Sequence, residues 1–261
     1  MENKRVLLLG LFSLCFAGVV LCGWNFYQEM KPRVLAEHTY DQIRKRAFQE
    51  STATMESDED ITAVDIHRRN RPDFETLLQW NPDIAGWLWS PETDINYPVV
   101  QGADNDYYLN HTADGVASII GSIFMESQNQ KEFQDDVTIL YGHHIRGGRM
   151  FSSLSGYKKQ SYYEEHPVMY LYTPEKDYRV DIFAGEILDG QNGSFPLIFE
   201  STYAREKWLK KLLVSSTFKS SVVVEEKERI LALCTCSYEY NNARYAVYGV
   251  LRDMEEVQNE K

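Results

Sequence analysis

R-I-L-A-L-C-T-C-S-Y-E-Y-N-N-A-R-Y-A-V-Y-G-V-L, from Arg229 to Leu251, holds two apolar runs of strand length separated by a polar segment. Ile230 to Cys236 is the first run, Ala243 to Leu251 the second, and Ser237 to Asn242 has the length and polarity of a connecting loop. The pattern predicts two antiparallel strands. Pairing them about the loop centre sets Cys236 opposite Arg244, with both side chains on one face. A fixed positive charge beside a thiol lowers its pKa from the ordinary value of about 8.5 and raises the thiolate fraction. Cys236 is therefore a candidate nucleophile.

Composition frames what surrounds this hairpin. With 261 residues, 43% of them hydrophobic, the chain can bury one sizeable core and carry a helical appendage. A formal charge of −12 with no long basic run argues against nucleic acid as a partner. The four cysteines, Cys15, Cys22, Cys234 and Cys236, do not have the spacing of a disulfide framework.

Working back to the start, Val6 to Trp24 is uncharged, follows Lys4 and Arg5, and has about the length that spans a hydrocarbon core as a helix. The expectation is an uncleaved signal anchor in the cell membrane: residues 1–27 as cytoplasmic tip and single transmembrane helix, 28–70 as helical stalk and linker, 71–261 as an extracellular catalytic domain. Glu37 to Ser57 is helix-prone, with Tyr40, Ile43, Ala47 and Phe48 on one stripe. A short helix is expected from Pro72 to Trp80, ended by Asn81-Pro82, and another near Asp104 to Asn110. Strands are expected at Gly86–Trp89, Asn96–Gln101, Ser118–Met125 and Asp136–Tyr141, a hairpin at Val168–Leu188, and a helix from Thr202 to Ser216. Short strands without regular strand-helix alternation predict a mainly antiparallel β-barrel with helical insertions.

An acid-base partner for Cys236 must come from the six histidines. His143 and His144 end the strand V-T-I-L-Y just before a glycine-containing loop, a position suited to lining a groove. Distance along the chain is no obstacle, because such pairs meet in space. Taken alone, each residue also has an ordinary reading: Cys236 as a buried thiol, His143 as a turn histidine, Arg244 as half of a surface ion pair.

The run L-A-L-C-T-C with Arg244 in the following strand resembles the T-L-x-T-C and downstream Arg pattern of the sortases, cysteine transpeptidases of Gram-positive bacteria; Ala232 stands where that pattern has its first Thr. L-Y-G-H at 140–143 is similar to the family's histidine motif, which selects His143 over His144. W-N-P-D-I-A-G-W at 80–87, I-N-Y-P-V-V-Q at 95–101 and D-N-D-Y-Y-L at 104–109 resemble the class B branch. The resemblance implies a closed barrel of about eight strands with N-terminal helices and a helical insertion before the nucleophile strand. It implies Cys236 as nucleophile, His143 as general acid-base, Arg244 as donor to the developing oxyanion, and Asn105, Leu109 and Cys234 lining the substrate groove. It further implies no cofactor and no metal. Substrates would be surface proteins with a C-terminal sorting motif, and the acceptor a peptidoglycan-precursor or pilin amine, with membrane attachment through the N-terminal helix. Ser237 occupies a position where many relatives have Asp and receives no acid-base role.

Other readings make different demands. A secreted membrane-anchored Cys-His peptidase would share nucleophile and base but hydrolyse the acyl-enzyme. A metal-binding module would use C-T-C and His143-His144, without the usual C-x-x-C spacing. An adhesive β-domain would need none of these groups for chemistry.

Overall fold

A computed structural model of the chain describes residues 2–48, 71–145, 148–190, 195–236 and 242–254, with the backbone alone at 2–14, 28, 29, 31–33 and 236. Residues 49–70, expected to finish the first helix and form a linker, and Ser237 lie outside the described residues.

Helix α1 runs from Glu2 to Ala47. The expected single-pass anchor, and the cell-membrane localisation and membrane contact drawn from it, are corrected here: among the described residues, no helix is long and apolar enough to cross a membrane. In sequence, Glu29, Lys31 and Arg33 put charge directly after the apolar stretch. At its other end α1 is part of the globule. Ala36, Tyr40, Ile43 and Ala47, at helical spacing, are all buried in the main core.

Helix α2 (Phe74–Trp80) starts two residues later than Pro72 because Asp73 caps it, its carboxylate accepting from Thr76 N at 3.2 Å. Eight strands follow: β1 (Ile84–Trp89), β2 (Asn96–Val100), β3 (Ile123–Met125), β4 (Val137–Tyr141), β5 (Val168–Tyr172), β6 (Asp177–Asp189), β7 (Arg229–Cys236) and β8 (Ala243–Asp253). They close into a barrel in the order β1-β2-β3-β4-β7-β8-β6-β5. The neighbours pair antiparallel except β2 with β3 and β4 with β7, which are parallel. Pro98 is tolerated inside β2 because the short β3 pairs only with Val99 and Val100, leaving no ladder bond for it to break.

Two expected elements differ. Asp104 to Asn110 is a chain of turns and not a helix, its start held by Asp104 Oδ1, which takes the backbone N–H groups of Asp106 and Tyr107, both at 2.9 Å. The expected strand from Ser118 shrinks to Ile123–Met125, because Gly121 adopts φ +61° and closes a turn back to Ser118.

Helices α3 (Gln160–Glu165) and α4 (Thr202–Ser215) complete the fold. α4 lies in the long β6–β7 insertion, where its Trp208 packs edge-on against Tyr248 at 5.7 Å. The core is accordingly split. One cluster fills the barrel, with Trp87, Leu171, Leu231 and Val247 fully buried; a second covers the outer face of β4, β7 and β8 beneath α4 and the 195–199 segment.

Candidate active site

The ends of β4 and β7 and the start of β8 build the site. In the parallel pair β4–β7, Tyr141 stands opposite Cys234, and one residue on Gly142 N donates to Cys234 O at 3.1 Å. His143 follows directly, alongside the end of β7 that carries Cys236. In the antiparallel pair β7–β8, Cys236 stands directly opposite Arg244. Neighbouring strands lie about 4.8 Å apart, so the three positions share one end of the barrel. The side chain of Cys236 lies outside the described residues.

Gly142 is what lets β4 deliver the histidine. A Cβ there would come 2.5 Å from Ile123 Cδ1 and 2.7 Å from the Phe151 ring, and both residues are fully buried. Beyond the histidine, Phe151 N donates to His143 O at 3.1 Å and His144 pairs with Met150, which folds the chain back.

The imidazole has a defined partner: His143 Nε2 lies 2.8 Å from Leu109 O. A carbonyl oxygen can only accept, so the partner assigns the proton to Nε2 and leaves Nδ1 as the nitrogen that can gain or lose one. Leu109 thus touches the proposed base through its backbone.

Arg244 is half-buried, and its one hydrogen bond among the described residues runs from Nη1 to the adjacent Ala243 O at 3.4 Å. Gly190 makes room for it: a Cβ at Gly190 would meet Asn242 O at 2.5 Å and Arg244 Cγ at 3.3 Å.

A cleft of about 310 Å³ has Cys234, Arg244, Tyr141, Glu126, Leu188 and Phe195 among its walls; His143 is not one of its described walls. Glu126 is the residue that sequence reading missed. Its buried carboxylate accepts from Asn105 Nδ2 at 2.7 Å and from Tyr141 Oη at 3.1 Å, and Ser127 N donates to Asn105 Oδ1 at 2.9 Å. Both ends of the Asn105 carboxamide are therefore engaged within the wall. Burial, reinforced by the Glu126 carboxylate, pushes the Tyr141 pKa well up, so this hydroxyl stays protonated. The only sequence signal for Glu126 was its place directly after a short strand in a polar E-S-Q-N-Q run, which singles out no chemistry.

A larger cleft of about 530 Å³ lies at the far barrel end, where β7 begins and β8 finishes. Its charges close on one another, Arg252 bridging Asp181 at 2.9 Å and Glu228 at 3.0 Å, and it holds no thiol or imidazole among its described walls. Among the described residues, no group of three or more His, Cys, Asp or Glu could hold a metal ion.

Comparison with known proteins follows the same residues. A family model described as the sortase domain matches residues 89–252. Sortase B of Listeria monocytogenes serovar 1/2a is 34% identical over 194 residues, covering 74% of this chain and 79% of that protein. Sortase B of Staphylococcus aureus is 35% identical over 182 residues, covering 70% and 75%. The crystal structure of the S. aureus Sortase B complexed with MTSET superimposes with a TM-score of 0.72 at 30% identity, covering 84% of this chain and 88% of that one.

Proposed function

Because the chain belongs to the sortase family, as a class B cysteine transpeptidase, we propose that it cleaves a C-terminal sorting motif through a thioester on Cys236 and transfers the acyl group to an amine. The Cys236 thiol gives its proton to His143 Nδ1, and the thiolate sulfur attacks the carbonyl carbon of a threonine-like residue in the motif. Charge develops on the carbonyl oxygen, toward which Arg244 donates; one such donor contributes on the order of 3 kcal/mol to the transition state. The C–N bond then breaks, and the departing amine takes its proton from His143 Nδ1. In the second half, the acceptor amine attacks the thioester carbon, Nδ1 takes its proton, and the C–S bond breaks to restore the thiolate. The product is an amide, with no net oxidation and no water consumed.

The observation that carries this reading is the strand register, with β4 beside β7 and Cys236 opposite Arg244. Residues 71–261 are the proposed catalytic domain. Leu109 and Cys234 are proposed to line the groove, and Asn105 to build its wall with Glu126. The proposed acceptor is an amine of a peptidoglycan precursor or a pilin lysine.

Incubating the protein with sorting-motif peptides, with and without oligoglycine, tests the transfer. An amine-dependent ligation product is expected. Hydrolysis at a rate that no amine changes would favour a Cys-His peptidase instead.

A further inference from the structure

We infer that α1 is a positioning element for the His143 imidazole, acting through the buried hydroxyl of Tyr40; the inference rests on the acid-base role proposed for His143. The link is a continuous set of short contacts. Tyr40 Oη donates to Gly121 O at 2.6 Å and lies 3.1 Å from Ser122 Oγ. The 118–122 turn is in turn stitched to the segment on either side of Leu109. Ser122 N donates to Tyr108 O at 3.0 Å, Ser118 N to Asn110 O at 2.8 Å, and Ser122 Oγ to His111 O at 2.8 Å. Leu109, whose carbonyl holds His143 Nε2, sits inside that bracket.

The bracket leaves no slack. Gly121 has φ +61°, and a Cβ on it would lie 2.5 Å from Leu109 O and 2.9 Å from Tyr108 O. The peptide gripped by Tyr40 on one side therefore abuts, on its other side, the carbonyl that orients the imidazole. Moving the Gly121 peptide moves the Leu109 carbonyl.

α1 also reaches the segment that follows the histidine. Glu37 pairs with Arg149, and Tyr97, packed edge-on against Tyr40 at 5.2 Å, accepts from Met150 N at 3.4 Å. The ion pair is surface-exposed and contributes little by itself. Tyr40 is different, because it is 3% exposed and its buried hydroxyl is held by Gly121 O, Ser122 Oγ and the backbone of Ala113, away from bulk water that could replace them.

The test is Tyr40→Phe, which keeps the ring packing and removes the hydroxyl. Two quantities are read: the ¹⁵N and ¹H signals of the His143 ring, which report the tautomer and the Nε2 hydrogen bond, and kcat against KM for ligation. The expected result is a shifted Nε2 signal with kcat lowered about fivefold or more, the size of one lost hydrogen bond, and KM little changed. Ser122→Ala, which cuts the link to His111 O and the side-chain contact to Tyr40 but leaves the Tyr40–Gly121 bond, is expected to move the same signals. Tyr163→Phe is the control: it removes a tyrosine hydroxyl that bonds Ser220 Oγ at 2.7 Å, far from this bracket, and should leave the His143 ring unchanged. Unchanged His143 signals in both Tyr40→Phe and Ser122→Ala would overturn the inference, whatever happened to melting temperature. The acid-base role is tested separately by His143→Ala, whose failure to lose turnover would remove that role while leaving the ring-signal result to stand.

Discussion

Adding one methyl group at Gly142 probes how the barrel delivers its histidine. The Cβ of Gly142→Ala would lie 2.5 Å from Ile123 Cδ1 and 2.7 and 2.8 Å from two atoms of the Phe151 ring. Carbon atoms pack at about 3.5 to 4.0 Å, so roughly 1 Å of movement is needed. The Ile123 terminus can rotate aside. The Phe151 ring cannot, because it is fully buried and its backbone N–H is bonded to His143 O. The strain therefore falls on the strand end, loosening the Gly142–Cys234 bond and displacing His143. Overpacking of this kind costs about 1 to 3 kcal/mol. For a chain of this size that lowers the melting temperature by about 2 to 4 °C per kcal/mol. A catalytic group misplaced by about 1 Å can lose on the order of 100-fold in rate. The assay is kcat for amine-dependent ligation of a fluorogenic motif peptide, measured beside the melting temperature. Trimming the obstacle with Phe151→Leu should recover part of both losses in the double variant, a coupling that independent sites would not give. A Gly142→Ala protein with wild-type kcat and melting temperature would refute the packing argument.

Two further outcomes follow from the same geometry. Arg244→Ala should lower kcat by about 10² to 10³-fold, with Arg244→Lys intermediate, in steady-state ligation assays; an Ala variant that turns over like wild type contradicts the oxyanion role. At α2, the Thr76 hydroxyl and then its backbone N–H hold the Asp73 carboxyl below its ordinary range. A depressed carboxyl stabilises the fold above its unfolded pKa of about 3.9 and loses that contribution as pH falls through the folded value. Asp73→Ala should thus cost about 0.5 to 2 kcal/mol near neutrality, and its melting-temperature deficit should shrink below about pH 4. A deficit constant from neutral to strongly acidic pH would count against the cap.

The late hairpin was legible because alternation and loop position together set an antiparallel register, and Cys236 does stand opposite Arg244. The other half of the site was not legible from local pattern. β4 and β7 are far apart in the chain and pair in parallel, and nothing in V-T-I-L-Y or R-I-L-A-L-C-T-C says that the two runs are neighbours. Resemblance to a family supplied that link where periodicity could not. The stripe of Tyr40, Ile43 and Ala47 announced a buried helix face, but its target, the turn at Gly121, depends on tertiary packing. The Asp104 stretch misled because a capping-type carboxylate, bonded to the N–H groups of Asp106 and Tyr107, starts a turn that no helix continues. Glu126 and Gly190 stayed hidden because their roles are defined by what lies across the cleft and not by their neighbours in sequence. At the N-terminus, apolar length alone suggested a span, whereas α1 is one long helix whose far end is part of the core.

The account stands on Cys236 forming a thioester that an amine resolves. The direct measurement is mass spectrometry of the protein quenched during turnover of a sorting-motif peptide. An acyl adduct mapped to Cys236, absent in Cys236→Ala and discharged faster as oligoglycine is added, is the predicted result. An adduct on another residue, or one whose loss is indifferent to the amine, would contradict the account.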